Sequence, residues 1–221
     1  EAFIDVRDAA RVSQFLSESQ PSAVIHLAAQ PLVMASYKTP RETFETNVMG
    51  TANVLDAAFS TPSVKAVVVA TTDKVYRNDD LGRAFIESDP LEGKDPYSAS
   101  KVGTESVIGA WQQIAKISGG PNVISVRAGN VIGGGDWAKD RLLPDLVRGF
   151  MSGGPIHIRN PQSTRPWQHV LDPLHGYLLA LEAMLSGLKF DSLNFGPAEE
   201  SLSVREVAEL AAANWTQKVT L

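Results

Sequence analysis

The strongest constraint on the fold is the sequence VKAVVVATT at residues 64–72, a mostly β-branched run with polar side chains only at its ends. A strand with one solvent-facing side alternates apolar and polar residues, whereas a strand buried on both faces is apolar throughout. Similar runs are PSAVIHLAA, which begins at Pro21, and NVISVRAGNVI, which begins at Asn122. We therefore expect strands that lie inside a parallel sheet.

Segments with helical periodicity separate these runs. Apolar residues recur at helical spacing over residues 8–19, 40–60 and 97–118, and Pro40 suits the first turn of a helix. Strands that alternate with helices favour a parallel sheet covered on both faces. The sequence thus predicts the α/β class with a doubly wound sheet.

The residue composition of the chain changes at Gly133, where glycine and proline become frequent. We predict a smaller, loop-rich mixed α/β domain here, with helices near 139–151 and 172–187 and a short strand in FDSLNFG. Ser203 with Glu206 three residues later has the spacing of a capping box, which predicts another helix start. The predicted domains are 1–132 and 133–221.

The composition narrows the classes of partner. A net charge of -5 and a pI near 5.4 argue against broad binding to nucleic acid, which requires a basic surface. The chain has no cysteine, which fits a reducing cytoplasm, and no apolar run reaches the ~18 residues that span a bilayer. The four histidines show no metal-ligand spacing. We expect a cytoplasmic protein with no nucleic acid, membrane or metal partner.

Polar side chains follow three predicted strands at the point where each strand ends. They are His26, the triplet Thr72-Asp73-Lys74, and Asn130. In an open parallel sheet, ligands bind beyond the carboxyl ends of the strands. These groups therefore predict a ligand cleft, although a buried core role for His26 fits the sequence equally well.

The sequence YSASK places Tyr97 and Lys101 on one face of a predicted helix. A phenol with an ordinary pKa of ~10 is a poor base at neutral pH, but a neighbouring cation favours the phenolate. Alone, this pair is better explained as a surface tyrosine and a solvated lysine on an exposed helix face. Thr72 at the end of a predicted strand favours an active site, since its hydroxyl would hold the same substrate oxygen.

The chain resembles the extended short-chain dehydrogenase/reductase family over nearly its whole length. The motifs that carry the resemblance are DVRD, HLAAQ, NVMGTANVLDAA, TTDKVY, DPYSASK, VRAGNVIGGGDW and RPWQHVLDPLHGYL. The resemblance implies a Rossmann-type sheet and NAD as cofactor. Within the family, the sugar-nucleotide dehydratases are most similar, which implies dehydration of a nucleotide-diphospho-hexose, CDP-glucose in particular, in deoxysugar and O-antigen biosynthesis.

The resemblance also implies roles for the strand-end residues. Tyr97, assisted by Lys101 and Thr72, would take the proton of the sugar's C4 hydroxyl, and Asp73 would protonate the departing C6 hydroxyl. Other nucleotide-sugar dehydratases carry Glu where this chain has Lys74. Two roles for Lys74 stay open: a neutral amine that removes the C5 proton, or an electrostatic contact.

Further residues match the binding positions of the family. The implied cofactor contacts are Asp5, Val6, Leu27, Ala28, Ala29, Tyr97 and Lys101. The implied substrate contacts are Asn130 and Arg165, and Arg141 and Arg159 are further candidates that fit solvated surface arginines equally well. Arginine suits a diphosphate because its planar fork binds phosphate oxygens through two donors. We expect His169 to stabilise a loop, and the resemblance implies that Asp172 is a structural acid at the start of a helix.

The family's strand, glycine-rich turn and helix, which hold the dinucleotide pyrophosphate, have no match before Asp5. We therefore expect the first Rossmann strands to be missing and the chain to be a fragment of a longer enzyme, with exposed strand edges. The family implies a homodimer formed through helices 40–60 and 97–118. Two alternative functions are a sugar-nucleotide 4-epimerase and a non-catalytic nucleotide-sugar-binding fragment.

Overall fold

The computed structural model describes residues 1–78, 82–153, 156–198, 201–216 and 219. The chain divides into two compact units. The first comprises Glu1–Ala128 with His175–Phe195, and the second comprises Gly129–Leu174 with Gly196–Leu221. These bounds differ from the predicted ranges because the last part of the first unit returns to its sheet as a strand. As functional domains, 1–132 and 133–221 stay a prediction.

The secondary structure follows the predicted alternation. The strands are β1 (Ala23–His26), β2 (Ala66–Ala70), β3 (Asn122–Ala128), β4 (Asn130–Ile132), β5 (Thr164–Arg165), β6 (Trp167–His169), β7 (Ser192–Phe195) and β8 (Leu202–Ser203). The α-helices are α1 (Ala9–Ser19), α2 (Val33–Lys38), α3 (Pro40–Phe44), α4 (Gly50–Phe59), α5 (Pro96–Ser118), α6 (Leu142–Ser152), α7 (Leu171–Leu185) and α8 (Val204–Ala213).

The first unit is built on a four-stranded sheet with the order β1-β2-β3-β7 and only parallel neighbours. The central strand β2 is the predicted β-branched run, and its residues Ala66–Val69 are fully buried. Helices α1 and α4 pack together, and a core of aliphatic side chains from both joins the sheet at Val67 and Val69. The predicted α/β class with a Rossmann-type parallel sheet is confirmed.

The predicted helix 40–60 forms as a continuous segment from α3 to α4. Between them, Glu45–Met49 adopts a single π-helical turn, which the sequence did not predict. Gly50 begins α4, where a Cβ would lie 2.7 Å from Val6 Cγ2. A side chain at this position would therefore push the N-terminal segment away from the helix.

Helix α5 starts where the sequence places a helix start. Pro96 occupies its first turn, and the Asp95 side chain accepts hydrogen bonds from the amides of Tyr97 and Ser98 at 3.0 Å each. Ser98 completes the capping box by accepting from the Asp95 amide. This cap fixes the first turn of α5, which carries Tyr97.

In the described part of the second unit, four short strands pair two by two and an apolar cluster joins two helices. Strands β4 and β6 pair in parallel, and β5 and β8 pair antiparallel. Helices α6 and α8 pack through Leu146, Phe150 and Ala208. The predicted capping box at α8 is confirmed, since the Glu206 amide donates to Ser203 Oγ and the Ser203 amide donates to Glu206.

The predicted strand NVISVRAGNVI is broken in two at Gly129. Its first part, β3, belongs to the large sheet, whereas β4 pairs with β6. A Cβ at Gly129 would lie 2.5 Å from Pro166 Cγ, so only glycine allows this close approach. Within the described residues, no helix combines the length and the hydropathy that crossing a bilayer requires.

Candidate active site

The end of β2 turns directly into a short 3-10 helix, Asp73–Val75. Thr72 is buried and caps this turn, because its Oγ1 accepts a hydrogen bond from the Lys74 amide at 3.3 Å. The same hydroxyl donates to Asp73 Oδ1 at 3.2 Å. The turn thus fixes the hydroxyl and the carboxylate side by side at the carboxyl end of the sheet's central strand.

Helix α5 packs against this turn. Lys101 is 4% exposed, and its Nζ donates to the Ala70 carbonyl, the last residue of β2, at 2.9 Å. Tyr97 lies one helical turn earlier and is buried as well. The structure therefore brings the predicted Tyr97–Lys101 helix and the strand end with Thr72 and Asp73 together within the first unit.

The Lys101 ammonium lies in an environment that disfavours its charge. Burial lowers the pKa of Lys101 to about 8, and the negative charge of Glu105 opposes this shift. An ammonium carries three donors, of which the bond to Ala70 uses one. The side chain is thus a buried cation suited to hold a phenolate or a ribose hydroxyl.

His26, which the sequence left open, lies buried at the end of β1. Its Nε2 is 3.1 Å from Thr51 Oγ1, and that hydroxyl donates to the Asn47 carbonyl at 2.7 Å. Because the hydroxyl proton is already used, His26 Nε2 acts as the donor. Burial, with the charge of Lys101 adding to it, lowers the pKa of His26 to about 4.

The predicted cofactor loop after β1 leaves Leu27 and Ala28 exposed and Ala29 half-buried. It is followed by Gln30, whose amide donates to Asn47 Oδ1 at 2.8 Å. Asn47 Nδ2 donates in turn to the Gln30 carbonyl at 3.1 Å and to Ser100 Oγ at 2.8 Å.

Asn47 therefore links the cofactor loop to α5 beside Lys101. It lies in the π-helical turn and is 1% exposed. Sequence reasoning missed this residue. The available signal was an amide side chain on the face of helix 40–60 that also carries apolar core residues.

The predicted adenine contacts lie next to α4. Asp5 is exposed, and the Arg7 guanidinium binds its carboxylate, with Nε 3.0 Å from each oxygen. This hydrogen bonding lowers the pKa of Asp5 to about 2. Val6 is half-buried, and its carbonyl accepts from Asn53 Nδ2 at 2.9 Å. The segment is thus held in place from two sides.

The second unit contains a cavity of about 220 Å³ with cationic and anionic walls. Two of the four predicted substrate residues, Arg159 and Arg165, line it, together with Asp140 and Asp145. Arg159 pairs with Asp140 at 3.0 Å. The apolar part of the wall is Leu142, Leu146, Ile156, Ile158 and Val204.

The other two predicted substrate residues have defined partners in the same unit. Arg141 pairs with Asp136 at 3.5 Å, and the Asn130 amide donates to the Pro166 carbonyl at 3.1 Å. His169 Nδ1 accepts from the Leu171 amide at 3.3 Å, which fits the loop-stabilising role expected for it. Asp172 lies in the first turn of α7, as predicted.

Two further predictions concern the role of Lys74 and the binding of metal ions. The side chain of Lys74 is exposed, so the described residues do not supply the desolvation that a base role requires. Among the same described residues, His, Asp and Glu form no cluster of three that would hold a metal ion.

The parallel sheet, with polar groups beyond its carboxyl edge, defines a Rossmann-type α/β protein. The chain belongs to the NAD dependent epimerase/dehydratase family, whose model matches residues 2–196.

Characterised relatives and solved structures support this assignment. The CDP-glucose 4,6-dehydratase of Salmonella typhimurium is 45% identical over 209 residues, which are 91% of this chain and 58% of that protein. The dTDP-glucose 4,6-dehydratase DesIV of Streptomyces venezuelae, solved with NAD bound, has a TM-score of 0.83 at 29% identity, covering 95% of this chain and 62% of that one.

A third similar protein is the UDP-glucose 4-epimerase of Thermus thermophilus, solved in complex with NAD. Its TM-score is 0.81 at 27% identity, and the match covers 98% of this chain and 70% of that one. The chain thus spans less than two thirds of the length of the Salmonella enzyme.

Proposed function

We propose that this chain is part of an NAD-dependent hydro-lyase that converts CDP-glucose to CDP-4-keto-6-deoxyglucose. The observation that carries the proposal is the hydrogen bond from Lys101 Nζ to the Ala70 carbonyl. It anchors the helix of Tyr97 to the strand end from which Thr72 and Asp73 project. The 45% identity to a CDP-glucose 4,6-dehydratase supports the choice of reaction and substrate.

The residues of this chain fit one part of an NAD site. Lys101 offers a buried ammonium for a ribose hydroxyl, and the small side chains of Ala28 and Ala29 let a ligand approach the loop backbone. The sequence has no GxGxxG turn of the kind that holds a pyrophosphate. Bound there, NAD would supply the hydride chemistry, which is oxidation at C4 of the sugar followed by reduction at C6, and the base that removed the C5 proton would return a proton to C5.

The first proton transfer is assigned to Tyr97. Its phenolate takes the proton of the C4 hydroxyl, and the Lys101 ammonium stabilises that phenolate electrostatically. Thr72 holds the same oxygen through its hydroxyl. All three side chains are buried, which excludes water and strengthens these interactions.

The elimination of water is assigned to Asp73, which protonates the C6 hydroxyl as it leaves. The C4 ketone makes the C5 proton acidic, so that a base can remove it. Lys74 is either this base or an electrostatic contact to the substrate, and its exposed side chain supports the second role. The cavity lined by Arg159 and Arg165 is proposed to bind the nucleotide diphosphate.

A homodimer and a cytoplasmic location belong to the proposal as well. The helices predicted for the dimer interface, α3 to α4 and α5, expose the apolar side chains Phe44, Met49, Ile114 and Ile117. Such side chains on two neighbouring helices support a helical interface.

Replacing Asp73 with Asn tests the reaction. The amide cannot donate a catalytic proton, so we expect oxidation at C4 to persist while elimination of water falls at least ~100-fold. Mass spectrometry of the sugar product and the absorbance of reduced NAD report the two steps separately. Asp191→Asn, at an exposed position whose carboxylate pairs with Lys116 at 3.5 Å, is the control and retains both steps.

The alternative functions give different outcomes. A 4-epimerase returns a sugar that is inverted at C4 and retains its C6 hydroxyl. A non-catalytic fragment binds CDP-glucose, which calorimetry detects, without any turnover when NAD is added. Elimination that is unaffected by Asp73→Asn removes that residue from its role.

A further inference from the structure

A buried ion pair lies next to the candidate active site, and the proposed reaction gives it no role. Arg127 lies in the apolar strand β3, and Glu105 lies on α5; their side chains are 6% and 7% exposed. Arg127 Nε is 2.8 Å from Glu105 Oε1 and its Nη2 is 2.9 Å from Oε2, a two-pronged contact. Apolar residues in such places are often equally stable, because removing two charges from water is costly. Stability alone therefore does not explain the pair.

The remaining donors and acceptors of the pair go to the segment after β2. Thr71 Oγ1 donates to Glu105 Oε1 at 2.6 Å, and Arg127 Nη1 donates to the hydroxyl of Tyr76 at 2.8 Å. Thr71 and Tyr76 are the two residues that flank 72–75. Both ends of the segment that carries Thr72 and Asp73 are thus tied to one ion pair.

The network extends to strand β7 and to residues 85–87. Tyr76 Oη donates to Asn194 Oδ1 at 2.7 Å, and its ring stacks on Phe85 with centroids 4.8 Å apart. Arg127 Nη1 also donates to the Glu87 carbonyl at 3.0 Å. The guanidinium thus uses at least four of its five donors, which restricts its movement.

Glu105 lies one helical turn after Lys101, so one face of α5 carries both side chains. Lys101 bonds to the end of β2 through Ala70, and Glu105 bonds to the next residue, Thr71. Two successive residues of the chain are therefore held by two successive turns of the same helix. This fixes both the distance and the rotation of the strand end relative to α5.

We propose that Thr71 and Glu105, with Arg127 as the counter-ion, are positioning residues that hold the turn with Thr72 and Asp73 against the helix with Tyr97 and Lys101. Reactive groups must stay within ~0.5 Å of their productive geometry, and a hydrogen-bonded shell behind them provides this. The catalytic consequence rests on the proposed function, whereas the positioning itself does not.

Thr71→Val is the decisive variant, because valine keeps the branched shape and removes only the hydroxyl. Thr71→Ser is its matched control and keeps the bond to Glu105. Hydrogen exchange of the amides of Val75 and Tyr76, which bond within the turn, reports how often the turn opens. We expect exchange about tenfold faster in Thr71→Val, wild-type exchange in Thr71→Ser, and unchanged exchange in α1.

Kinetics give a second readout that a purely structural role would not move. With CDP-glucose and NAD, we expect kcat per folded protein to fall about tenfold in Thr71→Val with KM unchanged, and Thr71→Ser to restore it. Uniformly faster exchange throughout the first unit, or wild-type exchange in Thr71→Val, would overturn the positioning role. Absence of turnover in the full-length enzyme that contains this chain contradicts the proposed function, and the exchange experiment still decides this inference.

Discussion

The charge of Lys101 is disfavoured by its burial, and this makes the stability of the fold depend on pH. The pKa of Lys101 is lowered from an ordinary 10.5 to about 8. Between these values the unfolded chain binds a proton that the folded chain does not, so the free energy of unfolding rises with pH there. Below pH 8 both states are protonated, and burial of the charge costs about 3 kcal/mol relative to a neutral side chain.

We therefore predict how the variant Lys101→Met compares with the wild type. Relative to the wild type, Lys101→Met should be most stable below pH 8. Between pH 8 and 10.5 the difference in the free energy of unfolding should shift by about 3 kcal/mol in favour of the wild type. Chemical denaturation across this range measures the difference. Lys116→Met, an exposed lysine on the same helix, is the control. A difference for Lys101→Met that does not change with pH would contradict the prediction.

His26 gives a prediction on the acid side. The pKa of His26 falls from 6.5 to about 4, chiefly through burial. As pH falls from 6.5 towards 4, the unfolded state takes up a proton that the folded state refuses, so about 3 kcal/mol of stability is lost. We expect His26→Gln to lose less stability than the wild type over this interval. His175→Gln, at an exposed position in the same unit, should follow the wild-type curve in urea denaturation.

The spacing of Tyr97 and Lys101 on one face of a predicted helix, together with Thr72 at a strand end, was enough to predict that these three residues share a site. Glu105 and Arg127 were missed. The signal was present, since an arginine inside the run VISVRAG is a charge in a buried strand and requires a partner. The partner could not be found from sequence, because it lies 22 residues away on a helix whose rotation only the packing sets.

At the level of secondary structure elements, the start of α5 depends on a close backbone contact. Gly93 runs directly against the first turn of α5, where a Cβ would overlap the backbone of Ser98 and Ala99. Backbone atoms cannot relieve the overlap by a change of rotamer, as a side chain can. We expect Gly93→Ala to displace the first turn of α5 and to lower the free energy of unfolding by about 1–3 kcal/mol, measured by urea denaturation.

Gly109 on the same helix is the matched control for this change. A Cβ at Gly109 would meet no atom within 4 Å, and alanine is the better helix former by about 0.5–1 kcal/mol. Gly109→Ala should therefore stabilise the fold. Similar effects of the two substitutions would show that the close contact at Gly93 has no energetic weight.

Local sequence signals predicted most elements, and the exceptions have physical causes. The predicted helix 40–60 and the capping box at Ser203 follow from periodicity and residue type, which act locally. The π-helical turn at Glu45–Met49 and the break at Gly129 do not. The break depends on contact with Pro166, far along the chain, and no local pattern encodes such a contact.

For the whole molecule, the alternation of runs predicted the parallel sheet, and the missing first strands predicted exposed strand edges, but the sequence did not predict which strand carries them. Within the described residues, β1 pairs only with β2, and Ile25 on it is 37% exposed. An exposed strand with an unpaired backbone edge invites pairing with another chain. The exposed strand edge expected from the sequence is therefore at β1 in the first unit.

We predict that the chain forms species larger than a dimer as its concentration rises, through the free edge of β1. Ile25→Lys should reduce these species, because an ammonium at an edge strand opposes pairing, while its stem still covers the neighbouring Val68. Light scattering after size-exclusion chromatography measures the distribution. Leu188→Lys makes the same change at an exposed site away from the sheet edge and should leave the distribution unaltered. If both variants reduce the large species equally, general surface hydrophobicity drives the association, and the prediction is wrong. If only Ile25→Lys reduces them and a dimer persists, the strand edge and the dimer interface are separate surfaces.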